Sequence, residues 1–238
     1  MTNWRAAGEP CMDDLSTYAV ADFIPFTADV YFRLIERVSA AWWPLHLLTV
    51  AVGLAAAGLA WSGRARIAGG LLAAALAWVG ATFLVGEYAQ LNWAGTWFGG
   101  AFVVGAALVV LFGFAESRHG RPVRRISVPG LAGLTLAVVG VPGYPFIAPL
   151  AGRGWARAEV FGIHPDPTAV AALGIALLML RGYRLWLAAV VPALWCLVSA
   201  LTLQALHAPW AEMLYAAVGV ALVGVLWRSL ADPGSGRV

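Results

Sequence analysis

Long unbroken apolar runs alternate with short polar caps along most of the chain. They lie at 43–61, 67–86, 97–115, 128–149, 185–206 and 210–227, with a shorter run of 14 residues at 167–180. A helix needs about 20 residues to cross about 30 Å of hydrocarbon, so the first six runs qualify by length. The short one covers roughly 21 Å at about 1.5 Å per residue. Its start carries helix-opening residues, Asp166 as N-cap and Pro167 at the first helical position. Arg181 and Arg184 close its other end, where long side chains snorkel to an interface. The pattern predicts an all-α fold, a polytopic transmembrane helical bundle of about seven spans.

One stretch, 28–40, has a different period. Tyr31, Leu34, Ile35 and Val38 share one helical face, with Asp29, Arg33, Glu36 and Arg37 on the other and Thr27 as N-cap. This reads as an N-terminal amphipathic helix lying in the outer interface of the membrane. A straight polar extension of the first span is the alternative. The domain organisation that follows is a tail at 1–27, the amphipathic helix at 28–40, a membrane domain at 41–228 and a second tail at 229–238.

Composition agrees with lipid as the solvent. Of the 238 residues 61% are hydrophobic and 11% charged, against about 25% charged in soluble domains, and mean hydropathy is +0.80. All 15 basic residues are arginines, and their placement sets topology. With seven spans, the loops at 62–66, 116–127 and 181–184 and the C-terminal tail carry ten arginines, against five on the other face. The arginine-rich face belongs in the cytoplasm. The N-terminus is then outside and the C-terminus inside, and the expected location is a bacterial cytoplasmic (inner) membrane. Arginines scattered as caps do not form a nucleic-acid groove, so the partners expected are the bilayer and a homo-oligomer or membrane partner. Cys11 and Cys196 are too few and too far apart for a disulfide framework or a zinc site. No apolar h-region precedes Cys11, so neither a lipoprotein anchor nor a signal peptide is expected. Tryptophans such as Trp43, Trp61, Trp93, Trp97 and Trp210 sit at the ends of runs and read as an aromatic belt.

Acidic residues are lopsided in the opposite sense: ten of twelve fall on the predicted outer side, as do three of four histidines. The segment 141–168 is the most informative. Pro142, Pro145 and Pro149 break the end of the fourth span. Irregular backbone at membrane depth needs protein or a watery cavity around it, so this half-span should face the bundle interior. His164-Pro165-Asp166-Pro167 then sets an imidazole and a carboxylate at a helix N-terminus. Two readings are open, a site for a cation, proton or ligand, and a helix cap with a tight turn. Glu87, Asn92 and Trp93 form a second polar cluster, with Glu87 either a buried functional carboxyl or paired with Arg153 or Arg157 across the surface. Glu159 and His207 complete the candidate ligand-binding set, His207 beside Pro209 and Trp210 in a capping position. Histidine and carboxylate suit metals, but no fixed ligand spacing occurs, and no metal or cofactor is expected. Ser199 and Thr202, on one face with Trp195, can hydrogen-bond between helices, and packing alone also accounts for them. Gly69-Gly70 and Gly99-Gly100 read as close-packing points and not as nucleotide loops.

Several interface motifs occur in order: Asp22-Phe23-Ile24-Pro25-Phe26-Thr27, Tyr31-Phe32-Arg33-Leu34, Trp43-Pro44, Asn92-Trp93, Ala158-Glu159-Val160-Phe161-Gly162, Pro165-Asp166-Pro167-Thr168 and Pro192-Ala193-Leu194-Trp195-Cys196. Through them the chain resembles, over roughly residues 15–225, a family of bacterial multi-spanning membrane proteins known only as a domain of unknown function. Some members carry the label permease or transporter. The resemblance implies a membrane protein and supplies no catalytic residues. The reading that follows is a small transporter or permease with a polar site on the outer face. A non-transporting module (sensor, assembly factor or accessory subunit) that binds a partner through 28–40 and the Pro-rich loop is the alternative. An outer-face membrane enzyme using Glu87, Glu159 or His164 is a further one.

Overall fold

A computed structural model describes residues 24–119 and 127–231. Cys11, Arg121, Arg124, Arg125, Arg237, most of the N-terminal tail and the end of the C-terminal tail lie outside the described residues.

Every predicted apolar run is helical. The helices are α1 (Ala28–Ala41), α2 (Leu45–Trp61), α3 (Ala65–Val79), α4 (Gly95–His119), α5 (Val128–Val138), the short α6 (Ile147–Leu150), α7 (Pro165–Met179), α8 (Gly182–Ala205) and α9 (Ala211–Ala231). Two of them widen before they end: α3 passes into a π-helical segment at Gly80–Val85 and α5 into another at Val139–Gly143. Pro142 sits inside the second, where its missing N–H prevents a regular ladder. No strand occurs among the described residues.

Six helices form a closed ring. α2 packs on α3, α3 on α4, α4 on α8, α8 on α9, α9 on α5, and α5 returns to α2. α7 runs along the axis and touches all six. Every residue of α7 is buried, as expected of a helix apolar all round. Small residues allow the approach: a Cβ at Gly174 would strike the backbone of Ala137 on α5, and one at Gly140 the backbone of Ala171 on α7. Gly69 and Gly99 likewise sit at the α3–α4 contact, whereas Gly70 and Gly100 face open space, so each predicted pair contributes one packing residue.

Five helical stretches are long and apolar enough to cross a membrane, 65–90, 95–117, 128–150, 182–205 and 211–230, and α1 with α2 makes a sixth if that bent pair is one span. α7, at 15 residues, is shorter. The chain is therefore compatible with a multi-pass membrane protein. The shortness of α7 has a local cause. Every residue from Ala158 to Leu180 is buried, so the non-helical loop 158–164 already descends into the bundle before the helix starts.

α1 is helical where predicted, but the chain turns by 91° between it and α2, so α1 is no straight extension of the first span. Tyr31, Phe32, Leu34, Ile35 and Val38 are buried against protein. The face assigned to an interface with lipid thus packs on the bundle, across the mouth of the ring.

The two ends of the bundle differ in chemistry. At one, Arg184 pairs with Glu116 at 3.1 Å, Ser117 accepts from the Arg66 amide, and the buried Arg228 donates to the carbonyls of Leu177 and Leu180 at 2.5 and 2.7 Å. The other end gathers Glu36, Glu87, Arg157, Glu159, His164 and Asp166.

Candidate functional site

The site is built where the central helix begins. Asp166 occupies the first turn of α7 and is fully buried. Its Oδ1 accepts from Trp195 Nε1 at 2.8 Å, and its Oδ2 from Ser199 Oγ at 2.7 Å and Tyr144 Oη at 3.4 Å. Trp195 and Ser199 stand four residues apart on α8 and so share a face. Tyr144 comes from the irregular stretch after Pro142, which turns its ring into the core. Three convergent donors and the positive end of a helix hold a carboxylate far better than an apolar interior does.

His164 precedes the helix as its N-cap residue, with no cap bond from its side chain. The expected capping by Asp166 is thus corrected. The helix starts one residue after His164, at Pro165, and the Asp166 carboxylate is drawn sideways to α8. Thr168 closes the turn instead, donating to the His164 carbonyl at 2.7 Å and accepting from the Gly162 amide at 2.8 Å. Gly162 has φ +75° and would set a Cβ against Thr49, so no other residue suits this turn. His164 Nδ1 accepts from the Val160 amide at 3.1 Å, which leaves the ring hydrogen on Nε2, 3.4 Å from Ser39 Oγ. A ring nitrogen that accepts makes the imidazole neutral.

Glu159 is the exception. Its side chain is 4% exposed and its Oε2 has no hydrogen-bond partner. Two buried carboxyls sit close in one site, where like charges repel. The ionised form is favoured on Asp166, which has three donors, and the neutral form on Glu159, whose Oε2 has none. Beside this pair is a cavity of about 10 Å³ lined by Tyr31, Tyr88, Trp195, Ser199 and Thr202 among others, about the room one water requires.

α1 covers the cluster. Tyr31, Phe32 and Ile35 lie over it, fully packed, and ion pairs pin its exposed side: Glu36 with Arg157 at 2.5 Å and Arg37 with Glu87. Arg153 rests over the rings of Phe32 and Trp210 at 4.6 and 5.3 Å.

The predicted residues therefore separate into two groups. Glu159, His164 and Asp166 come together under α1. Glu87 is a half-exposed partner of Arg37 on α1, not of Arg153 or Arg157. Asn92 is a turn residue, its Oδ1 accepting from the Ala94 amide at 3.0 Å. Trp93 is 77% exposed, and His207 is an exposed residue with φ 56° at the α8–α9 turn. Of the two expectations for Ser199, the interhelical hydrogen bond is the one observed, and Trp195 on the same face also binds Asp166. Their four-residue spacing in an apolar span was a signal of a buried acceptor. Tyr144 and Arg228 carried no such signal, because their partners are distant in sequence. Trp210, assigned to the belt, is buried under Arg153. Among the described residues no group of His, Cys, Asp and Glu has the arrangement of a metal site.

Comparison with curated proteins and with solved structures gives no match. A family model does match, over residues 28–233, which takes in every helix of the ring, α1 above it and the whole of the Glu159–Asp166 cluster. The chain belongs to DUF6064, a family of unknown function.

Proposed function

We propose that this chain is a small proton-coupled permease of a bacterial inner membrane, with Glu159 and Asp166 as its proton-binding pair. The observation that carries this reading is the buried carboxyl of Glu159, whose Oε2 has no partner, next to a carboxylate held by three donors. An ionisable group so placed in a membrane protein is costly and is retained where protons or ions pass. Loss of the Glu159 proton would leave two like charges in one apolar site. Their repulsion favours a rearrangement that admits water, and rebinding of the proton reverses it. A broken helix end with irregular backbone beside the site is the usual setting for such a device in transporters.

In this reading seven segments cross the membrane, α2, α3, α4, α5, α7, α8 and α9, with α7 completed by the loop 158–164. The acidic end, with α1 and the N-terminus, faces outward, and the arginine end faces the cytoplasm. The partner-module reading gains less support. The apolar face of α1 that it would present is packed inside the bundle, and of the Pro-rich segment only the part around Leu150 and Trp155 is exposed. An outer-face enzyme would need Glu159 and His164 accessible to substrate, and they are 4% and 0% exposed.

Proteoliposomes loaded with a pH-sensitive dye and given an inward proton gradient, with the membrane potential clamped, test the proposal. Proton entry above that of protein-free liposomes is expected for the wild type and for Glu87→Gln. It should fall to background in Glu159→Gln and Asp166→Asn. Wild-type entry equal to background, or entry unchanged in Glu159→Gln, sinks the proton-coupled reading.

A further inference from the structure

A second cavity, far larger and of opposite chemistry, opens sideways between α2 and α3. Its volume is about 270 Å³. Leu48 and Val52 form one wall, Leu71, Ala74 and Trp78 the other, and Phe161 contributes to the floor. The one hydroxyl among the lining residues, Thr49 Oγ1, already donates to the His46 carbonyl at 3.0 Å. The groove thus offers contact to methylene groups and nothing to a polar ligand.

Its position and width decide the occupant. Residues 71–78 are the middle of the 65–90 stretch that is long enough to cross a membrane, so the groove opens toward hydrocarbon. Leu45 to Val52 and Leu71 to Trp78 each cover two helical turns, a length of roughly 10 Å. Spread over that length, the 270 Å³ open to the centre of a water molecule, widened by a water's radius of about 1.4 Å, leaves a channel of roughly 55 Å² in section. A helix with its side chains is 10–12 Å across, about 80–110 Å². A helix of a second copy cannot enter; a single polymethylene chain can.

We propose that this groove is a binding site for one acyl chain of a membrane lipid, lying parallel to α2 and α3. The chain reaches Phe161 and Gly162, two and three residues beyond Glu159 in the same buried loop. The lipid therefore supports the loop that carries the carboxyl pair from between α2 and α3. This rests on the membrane reading of the bundle and does not depend on what Glu159 and Asp166 do.

The test uses full-length protein in vesicles of phosphatidylcholine and phosphatidylglycerol, doped with a phosphatidylcholine bearing a photoactivatable diazirine on one acyl chain. After irradiation, labelled peptides are mapped. Labelling should concentrate on α2 and α3 relative to α9, whose Leu222 and Val223 are exposed and do not line this groove. Leu48→Trp and Ala74→Trp, which fill the groove from either wall, should each lower the α2–α3 labelling several-fold and leave α9 unchanged. Leu48 is 59% exposed, so that variant keeps the packing intact. Labelling equal on α2, α3 and α9, or insensitive to both tryptophans, means annular lipid only and overturns the proposal. Protein-to-protein cross-links at α2–α3 in place of lipid would overturn it in favour of a second copy.

Discussion

Glu159 and His164 lie five residues apart in one buried loop and meet burial in opposite ways. The imidazole Nδ1 has a donor, the Val160 amide, and Glu159 Oε2 has none. His164→Leu leaves the buried Val160 amide without an acceptor and is expected to cost roughly 2 kcal/mol of stability. Glu159→Leu removes a buried polar atom without a partner and is expected to leave stability unchanged or raise it. Denaturant unfolding in detergent checks both, and equal losses in the two variants would show that the two groups do not differ as described. At this scale the sequence named His164, Asp166 and Glu159 from the Pro-rich loop alone. It set Glu87, Asn92, Trp93 and His207 in the same candidate set, because exposure cannot be seen in a list of polar residues. What separates them is α1, a helix more than a hundred residues before the loop, which lies over His164, Asp166 and Glu159 and pairs at its exposed side with Glu87.

The central element is held by charge at both ends. Asp166 sits in the first turn of α7, and Arg228 of α9 binds the carbonyls of Leu177 and Leu180 at the last. Each sign complements the helix dipole, and Arg228 also supplies donors that the C-terminal carbonyls lack. Arg228→Met removes charge-assisted bonds to two buried carbonyls and is expected to cost roughly 3 kcal/mol of stability. Denaturant unfolding in detergent checks this, and a loss within about 0.5 kcal/mol, usual for a surface change, would place Arg228 outside the α7 cap. Arg228 counted in the sequence only as one more cytoplasmic arginine. The run 167–180 was legible as a helix and ambiguous as a span. Its buried, non-helical approach from Ala158 explains the length, since irregular backbone is tolerated at depth when enclosed by protein. The amphipathic period of α1 was equally plain, but a period does not say whether its apolar face meets lipid or protein.

At the scale of the whole molecule, six helices enclose a seventh, one end of the bundle is rich in arginine and the other holds the buried carboxyl pair. The apolar runs and the charge asymmetry made the helices and the two ends legible. The ring itself was not, because its order follows contacts such as α4 with α8 and α5 with α9 that no local pattern encodes. That order places Trp195 and Ser199 of α8 opposite Tyr144, with Asp166 between them, and leaves Glu159 beside them without a donor. In the proposed mechanism Glu159 holds a proton at neutral pH in the folded membrane protein. Infrared difference spectroscopy of the protonated-carboxyl stretch, on protein in lipid titrated around pH 7, tests this directly. A protonated-carboxyl band present in the wild type and in Glu87→Gln but absent from Glu159→Gln is the predicted result. The same band in the wild type and Glu159→Gln would contradict it.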